Sequence, residues 1–429
     1  MGGGQLQLIA YGEQDIYLTG NPQITFFKSV YRRYTNFSME CIEQTMQGNI
    51  STNEFIGNFQ IGRHGDLLHK MHFEIDLPAQ TTSGISNPTN YCSYTNNTGH
   101  CYLKQMDLEI GGELIDRHYG HWYDIYNELY DNEDREHILI NKHNKESFLE
   151  NNTKPEDVKL YIPLHFWFCK EVGESLPLIA LQYHHVELKT TFRDLRAIIN
   201  CSTDPSISSL NSPTISLWAN YIYLDTDERK RFAQTGHEYL IDQVQLITNG
   251  FSSKVNIPFN HSVKSLYWVI QNNTAITERI DYTSVDPTDN GAGDGSGNWT
   301  DSNDYLNFMT ENTSHPEYLN THTTYEHFEK AKITLNGLDR MSLRNASYFR
   351  TIQPYECEHR IPEKYIYMYS FCLKPREYQP SGALNFSKID SAYLEFTGTL
   401  ESNYTISVYA LNYNVLRIMS GMGGLLYSS

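Results

Sequence analysis

The chain has 429 residues, 39% of them hydrophobic and 13% aromatic, with a formal net charge of −18 and a pI near 5.4. That length divides most simply into two domains of roughly 200 residues, each with room for a substantial core. The acidic balance favours solubility and opposes nonspecific contact with nucleic acid, which excludes a coat lying directly on a genome.

Residues 1–24 are expected to form an arm, since up to about residue 20 they carry no core pattern. The first residues lack the basic and apolar run of a secretory signal, and Leu6 stands where a myristoylation motif wants Ser or Thr. No apolar run approaches membrane-spanning length, the longest lying near Leu176 to Leu181. Synthesis in the cytosol is therefore expected. Seven cysteines, an odd number with no C-x-x-C pair, fit a reducing compartment and predict mostly free, buried thiols. Asn21 and Pro22 signal a cap and first turn, and Ile24, Phe27, Val30, Tyr31 and Tyr34 follow at helical spacing with Lys28, Arg32 and Arg33 beside them. Those three cations either dock on an acidic partner or pair within their own subunit.

A first β-sandwich is expected over residues 25–224. Leu67, His69, Met71, Phe73, Ile75 and Leu77 alternate with Leu68, Lys70, His72, Glu74 and Asp76, the period of two of a strand with one buried face. Trp122, Ile125, Tyr126 and Leu129 recur at helical spacing and predict an amphipathic helix packed on the sandwich, followed by a solvated loop over 131–157. Residues 225–236 read as a linker helix, with acids in its first turn, bases after them and Gly236 at its end. A second sandwich is expected over 237–429. Its largest insertion, 281–324, is rich in Asp, Asn, Gly, Ser and Thr, as an exposed loop should be.

The two halves repeat one plan. Thr214 to Ala219, Thr-Ile-Ser-Leu-Trp-Ala, returns as Thr405 to Ala410, Thr-Ile-Ser-Val-Tyr-Ala. Upstream, Leu266, Trp268 and Ile270 hold the places of Met71, Phe73 and Ile75, and Tyr365-Ile366-Tyr367-Met368 answers Tyr161-Ile162-Pro163-Leu164. Gly111-Gly112 with Asp116-Arg117 answers Asn336-Gly337 with Asp339-Arg340, and both turn pairs tolerate the positive φ of a type I′ hairpin.

Motifs for catalysis or cofactor binding are missing. Gly291 to Ser296 lacks the third glycine of a dinucleotide fingerprint, and no EF-hand glutamate follows at the required place. His69 and His72, three apart on a strand, face opposite sides; His118 and His121 have no third ligand at suitable spacing; His184 and His185 answer Asp390 and Ser391 in the repeat. No catalytic, cofactor-binding or metal residue is assigned. Asn298 and Asn312 lie in Asn-x-Ser/Thr triplets and are the candidate glycan acceptors, although without a secretory signal the usual machinery does not meet them.

Several long strings carry a specific likeness. Gln14 to Lys28 with Val30 to Phe37, Leu176 to His184, and Asn414 to Gly424 resemble major capsid proteins of nucleocytoplasmic large DNA viruses, most closely those of algae and other protists. The resemblance implies an all-β double jelly roll of two eight-stranded sandwiches, a homotrimer, and a non-enzymatic role. Such trimers would form pseudo-hexagonal capsomers that meet neighbouring capsomers in an icosahedral virion shell. Minor capsid proteins and an internal membrane would lie on the inner face, with no direct nucleic acid contact and no cofactor. On the residues alone, a tandem jelly-roll enzyme (a cupin-like oxygenase or glycan hydrolase) and a carbohydrate-binding protein remain the alternatives, since jelly rolls host all three roles.

Overall fold

The computed structural model describes the chain apart from residues 1–2, 11, 81–91, 132–134, 143–156, 202–209, 274–305, 307, 309–325, 363, 399–402 and 428–429. It divides into a unit of residues 1–36 and a unit of residues 37–429. The first unit holds short helices at Gly3–Ile9 and Ile16–Thr19 with a 3-10 turn at Glu13–Asp15 between them. The helix expected after Pro22 does not form: Asn21 turns into left-handed conformation at φ 51°, and the described chain over 21–36 has only a turn at Phe26 and Phe27. Thr25, Val30 and the aromatic residues there are poor helix formers, and a helix this short needs packing to hold it.

The second unit is built on two sets of eight principal strands. The first set is β1 (Phe37–Gln44), β2 (Phe55–Ile61), β3 (Leu67–Leu77), β4 (Leu103–Ile110), β5 (Glu113–Tyr119), β6 (Val158–Pro163), β7 (Val186–Phe192) and β8 (Thr214–Leu224). The second is β9 (His237–Gly250), β10 (Lys254–Asn256), β11 (Ser262–Asn272), β12 (Lys330–Leu335), β13 (Leu338–Asp339), β14 (Ile366–Ser370), β15 (Ala392–Thr397) and β16 (Tyr404–Met419). In the first set the sheets run β1-β8-β3-β6 and β2-β7-β4-β5; in the second they run β9-β16-β11-β14 and β10-β15-β12-β13. Adding eight to each label of the first set yields the second. Each set is a jelly roll, and α2 (Thr226–Gln234), capped by the Asp225 carboxylate on the Thr226 N–H, lies between them in the chain.

Register agrees with the repeat. Ala219, Leu217 and Ile215 face Met71, Phe73 and Ile75 across β8 and β3, while Ala410, Val408 and Ile406 face Leu266, Trp268 and Ile270 across β16 and β11. These side chains fill the two cores, where Phe73 meets Phe59 and Phe192 of the opposite sheet and Phe328 meets Tyr367 and Phe396. The Gly111-Gly112 and Asn336-Gly337 turns both take positive φ throughout, at 62°, 82°, 48° and 77°.

Two repeat matches shift by one residue. Phe73 faces Ile162 but Trp268 faces Tyr367, so Ile162 corresponds to Tyr367 and not to Ile366. A bulge between Leu114 and Asp116 also puts Asp116 opposite Leu108, whereas Asp339 sits opposite Thr334, the counterpart of Glu109. The shared Asp-Arg letters therefore do not superpose.

Candidate functional site

The structural feature that unites the chain is the joint between the rolls. Its centre is α1 (Gly120–Tyr130), which leaves β5 at the end of the first roll. Tyr123, set among His100, His118 and His165, turns one side of this helix into its own roll, and Trp122, buried as well, turns another towards the second. The Trp122 ring lies 5.3 Å from Tyr267 and 5.6 Å from Tyr409, both on the outer face of the second roll, and the Tyr130 and Tyr267 hydroxyls are hydrogen-bonded at 3.0 Å. Each such buried side chain contributes roughly 1.5–3 kcal/mol. Further along, the Val244 N–H of β9 donates to Asp116 Oδ1 at 3.1 Å, and the Gln243 side chain donates to the Ile115 carbonyl.

Charge reinforces the joint. Asp124 on α1 is fully buried; Lys364 of the second roll reaches it at 2.9 Å, Lys142 lies at 3.7 Å, and Asn97 Nδ2 donates to it at 2.7 Å. Burial pushes this carboxyl up, but the two ammonium groups outweigh burial and hold it below the usual range. Asp242 of β9 is held down in the same way by Lys170 of the first roll, at 3.3 Å, and Lys264 of β11, at 3.1 Å. Beside that triad is a cavity of about 380 Å³ lined by Tyr126, Tyr130, His165, Lys170, Glu174, Asp242, Arg376 and Tyr378 among others. Burial, reinforced by Asp242, pushes the Glu174 carboxyl up to about 7. The C-terminal hairpin returns to the first roll, with the Tyr183 N–H donating to the Gly421 carbonyl at 3.0 Å and His184 Nδ1 2.9 Å from the Gly423 carbonyl.

Several of the described histidines serve packing. His69 meets the Phe168 carbonyl at 2.9 Å, and His72 lies on the other face of β3. His100, His327 and His359 are buried and His121 is half-buried, and desolvation holds all four neutral, His121 and His359 down to about 3 and His327 to about 4. Among the described residues no group of three or more His, Cys, Asp or Glu could hold a metal ion. Cys101, Cys169, Cys357 and Cys372 are buried thiols outside any disulfide, and Cys41 is an exposed one.

Lys28 follows the Phe26–Phe27 turn, and Arg32 and Arg33 stand in non-helical chain, so the three cations share no helix face. Asn298 and Asn312 lie outside the described residues. Lys170, Asp242, Asp124, Lys364 and Glu174, which make the joint, carry no signal in local sequence. The one available hint was α1 itself, whose Tyr123 lies off the stripe of Trp122, Ile125, Tyr126 and Leu129 and so puts a large ring on a second side.

Two family models match nearly the whole chain: "Major capsid protein N-terminus" over residues 25–225 and "Large eukaryotic DNA virus major capsid protein" over residues 228–424. The chain belongs to this family. It is similar over its full length, and over theirs, to the major capsid proteins of Pyramimonas orientalis virus, at 40% identity, and Paramecium bursaria Chlorella virus 1, at 39%. Among solved structures it resembles a chain of a quasi-atomic model of the PBCV-1 virus capsid, with a TM-score of 0.76 and 35% identity over 94% of this chain and all of the other. The Faustovirus major capsid protein shares the fold, with a TM-score of 0.74 at 13% identity over 95% of this chain and 94% of that one. The chain is a structural major capsid protein of the virion and not an enzyme.

Proposed function

We propose that this major capsid protein forms homotrimeric, pseudo-hexagonal capsomers that tile an icosahedral virus shell, each capsomer bound to neighbouring capsomers by individually weak contacts. The observation that carries this reading is the repeated strand order, β1-β8-β3-β6 returning as β9-β16-β11-β14. Two similar rolls joined in one chain give three copies six similar corners, so threefold symmetry yields a nearly hexagonal outline. Weak contacts between capsomers allow errors to be undone, and multivalency then holds the finished shell. The test is to express the full chain and measure its mass by light scattering. About three times 49.7 kDa, with six-cornered particles by electron microscopy, is expected; monomers at all concentrations would overturn it.

We further propose that the arm lies at the inner face and that Lys28, Arg32 and Arg33 dock there on acidic surfaces of minor capsid proteins or of an internal membrane, after synthesis in the host cytoplasm. Converting all three to Glu should leave capsomers intact and abolish their retention on the inner layer in purified particles. Normal retention would refute the docking role.

A further inference from the structure

The joint inside the chain is a template for a second joint between chains. In the repeat, Tyr409 corresponds to Trp218, and Leu411 to Asn220. Across the neighbouring strand Leu411 pairs with Val244 and Asn220 pairs with Cys41, so Cys41 stands where Val244 stands. Val244 and Tyr409 are covered within the chain, by Asp116 of β5 and by Trp122 of α1. Among the described residues their counterparts are not: Cys41 is exposed, Trp218 is half-buried, and Met39, on the same face of β1, is 48% exposed.

The covering elements are repeated as well. β13 corresponds to β5, and the helical segment Tyr348–Glu356 follows it as α1 follows β5. This segment and its approach also carry apolar side chains without cover, with Leu338 75%, Ile352 47% and Tyr355 74% exposed. An uncovered face and an uncovered cover, equivalent by repeat to two surfaces that already mate, cannot meet within one chain that has spent its first cover on its second roll.

We infer that the outer face of the first roll, Met39, Cys41 and Trp218, docks on the Leu338–Tyr355 region of a second copy of this chain, repeating between copies the joint that α1 makes within one. The inference rests on the capsomer reading and specifies its contact. Because each copy has one free face and one free cover, the contact is heterologous and closes as a ring. Tyr355 is the aromatic anchor on one side, and Trp218 on the other.

The test uses the full chain with single substitutions Tyr355→Asp and Met39→Asp, both on exposed side chains, so the far-UV circular dichroism and melting temperature of the separated subunit should be unchanged. Each is expected to weaken self-association by roughly 30-fold or more, the loss typical of a central interface residue, as read by light scattering across a dilution series. Natively folded variants that assemble as the wild type does would overturn the docking while leaving the capsomer reading intact. A wild-type chain that is monomeric throughout would overturn both. If removing residues 1–36 abolishes assembly while Tyr355→Asp does not, the arm occupies the face and the inference fails. As a check on register, since the Val244 counterpart of Cys41 meets β5 and β13 corresponds to β5, the Leu338→Cys variant oxidised with diamide should form a disulfide with native Cys41 between copies, diamide taking up the two electrons and two protons released. The expected product is a linked trimer on a non-reducing gel, lost in Cys41→Ser.

Discussion

Gly111 and Gly337 occupy hairpin tips of the same design, yet their surroundings differ. A Cβ on Gly111 would lie 2.5 Å from the His184 ring, which is itself tied to Gly423, whereas a Cβ on Gly337 would meet nothing within 4 Å. Gly111→Ala should therefore cost about 2–4 kcal/mol, strain and overpacking together, and Gly337→Ala about 1–2 kcal/mol from positive φ alone. Urea midpoints of the two variants would separate these, and equal losses would show that His184 yields freely. Glu174 offers a residue-level test of charge. Its carboxyl is raised from 4.5 to about 7, so its contribution to stability is fully present below pH 4.5 and lost as pH rises through 7. Glu174→Gln keeps the neutral form and should raise the melting temperature at pH 8 by roughly 1–3 °C, with little change at pH 5. A gain of equal size at both pH values would contradict the assignment.

Among the elements, α1 has the largest role for its length, since it closes one roll and covers the other. Trp122→Ala should cost about 3–5 kcal/mol through the cavity it leaves, and a double-mutant cycle with Tyr409→Ala should show coupling of about 0.5–1.5 kcal/mol for the aromatic pair. Lys364→Met leaves Asp124 short of one cation in a buried site and should cost about 3–5 kcal/mol. Adding Asp124→Leu removes the stranded charge and should recover at least half of that loss in thermal melts. If the double variant is no better than the single, the pair matters for geometry and not for charge balance.

For the whole molecule the buried histidines set the response to acid. His100, His121 and His359 lie about the joint and His327 in the second roll, and burial lowers all four below their ordinary 6.5. The unfolded chain takes up protons near pH 6.5 while the folded chain does not, so stability falls as pH drops below 6.5 and continues to fall towards 4. The slope is at most about 1.4 kcal/mol per pH unit for each histidine that stays neutral. Melting temperatures measured from pH 7 to 4 should decline across that window, and His121→Gln with His359→Gln should flatten the decline. An unchanged slope in the double variant would place the acid response elsewhere.

Much of this protein was legible in its letters. The duplication, the inward phase of Met71, Phe73 and Ile75 and of Leu266, Trp268 and Ile270, the hairpin turns and the helical spacing of α1 are local patterns, and a period of two or 3.6 reports which face of an element is apolar. Such a pattern does not report what that face meets. Asp124 finds Lys364 across 240 residues of chain, and Lys170 finds Asp242 across 72; Tyr409 is covered and Trp218 only half-buried, although they occupy one position in the repeat. Those differences arise because a chain has a single α1 and two equivalent faces to cover, a conflict that only the packed arrangement of both rolls resolves.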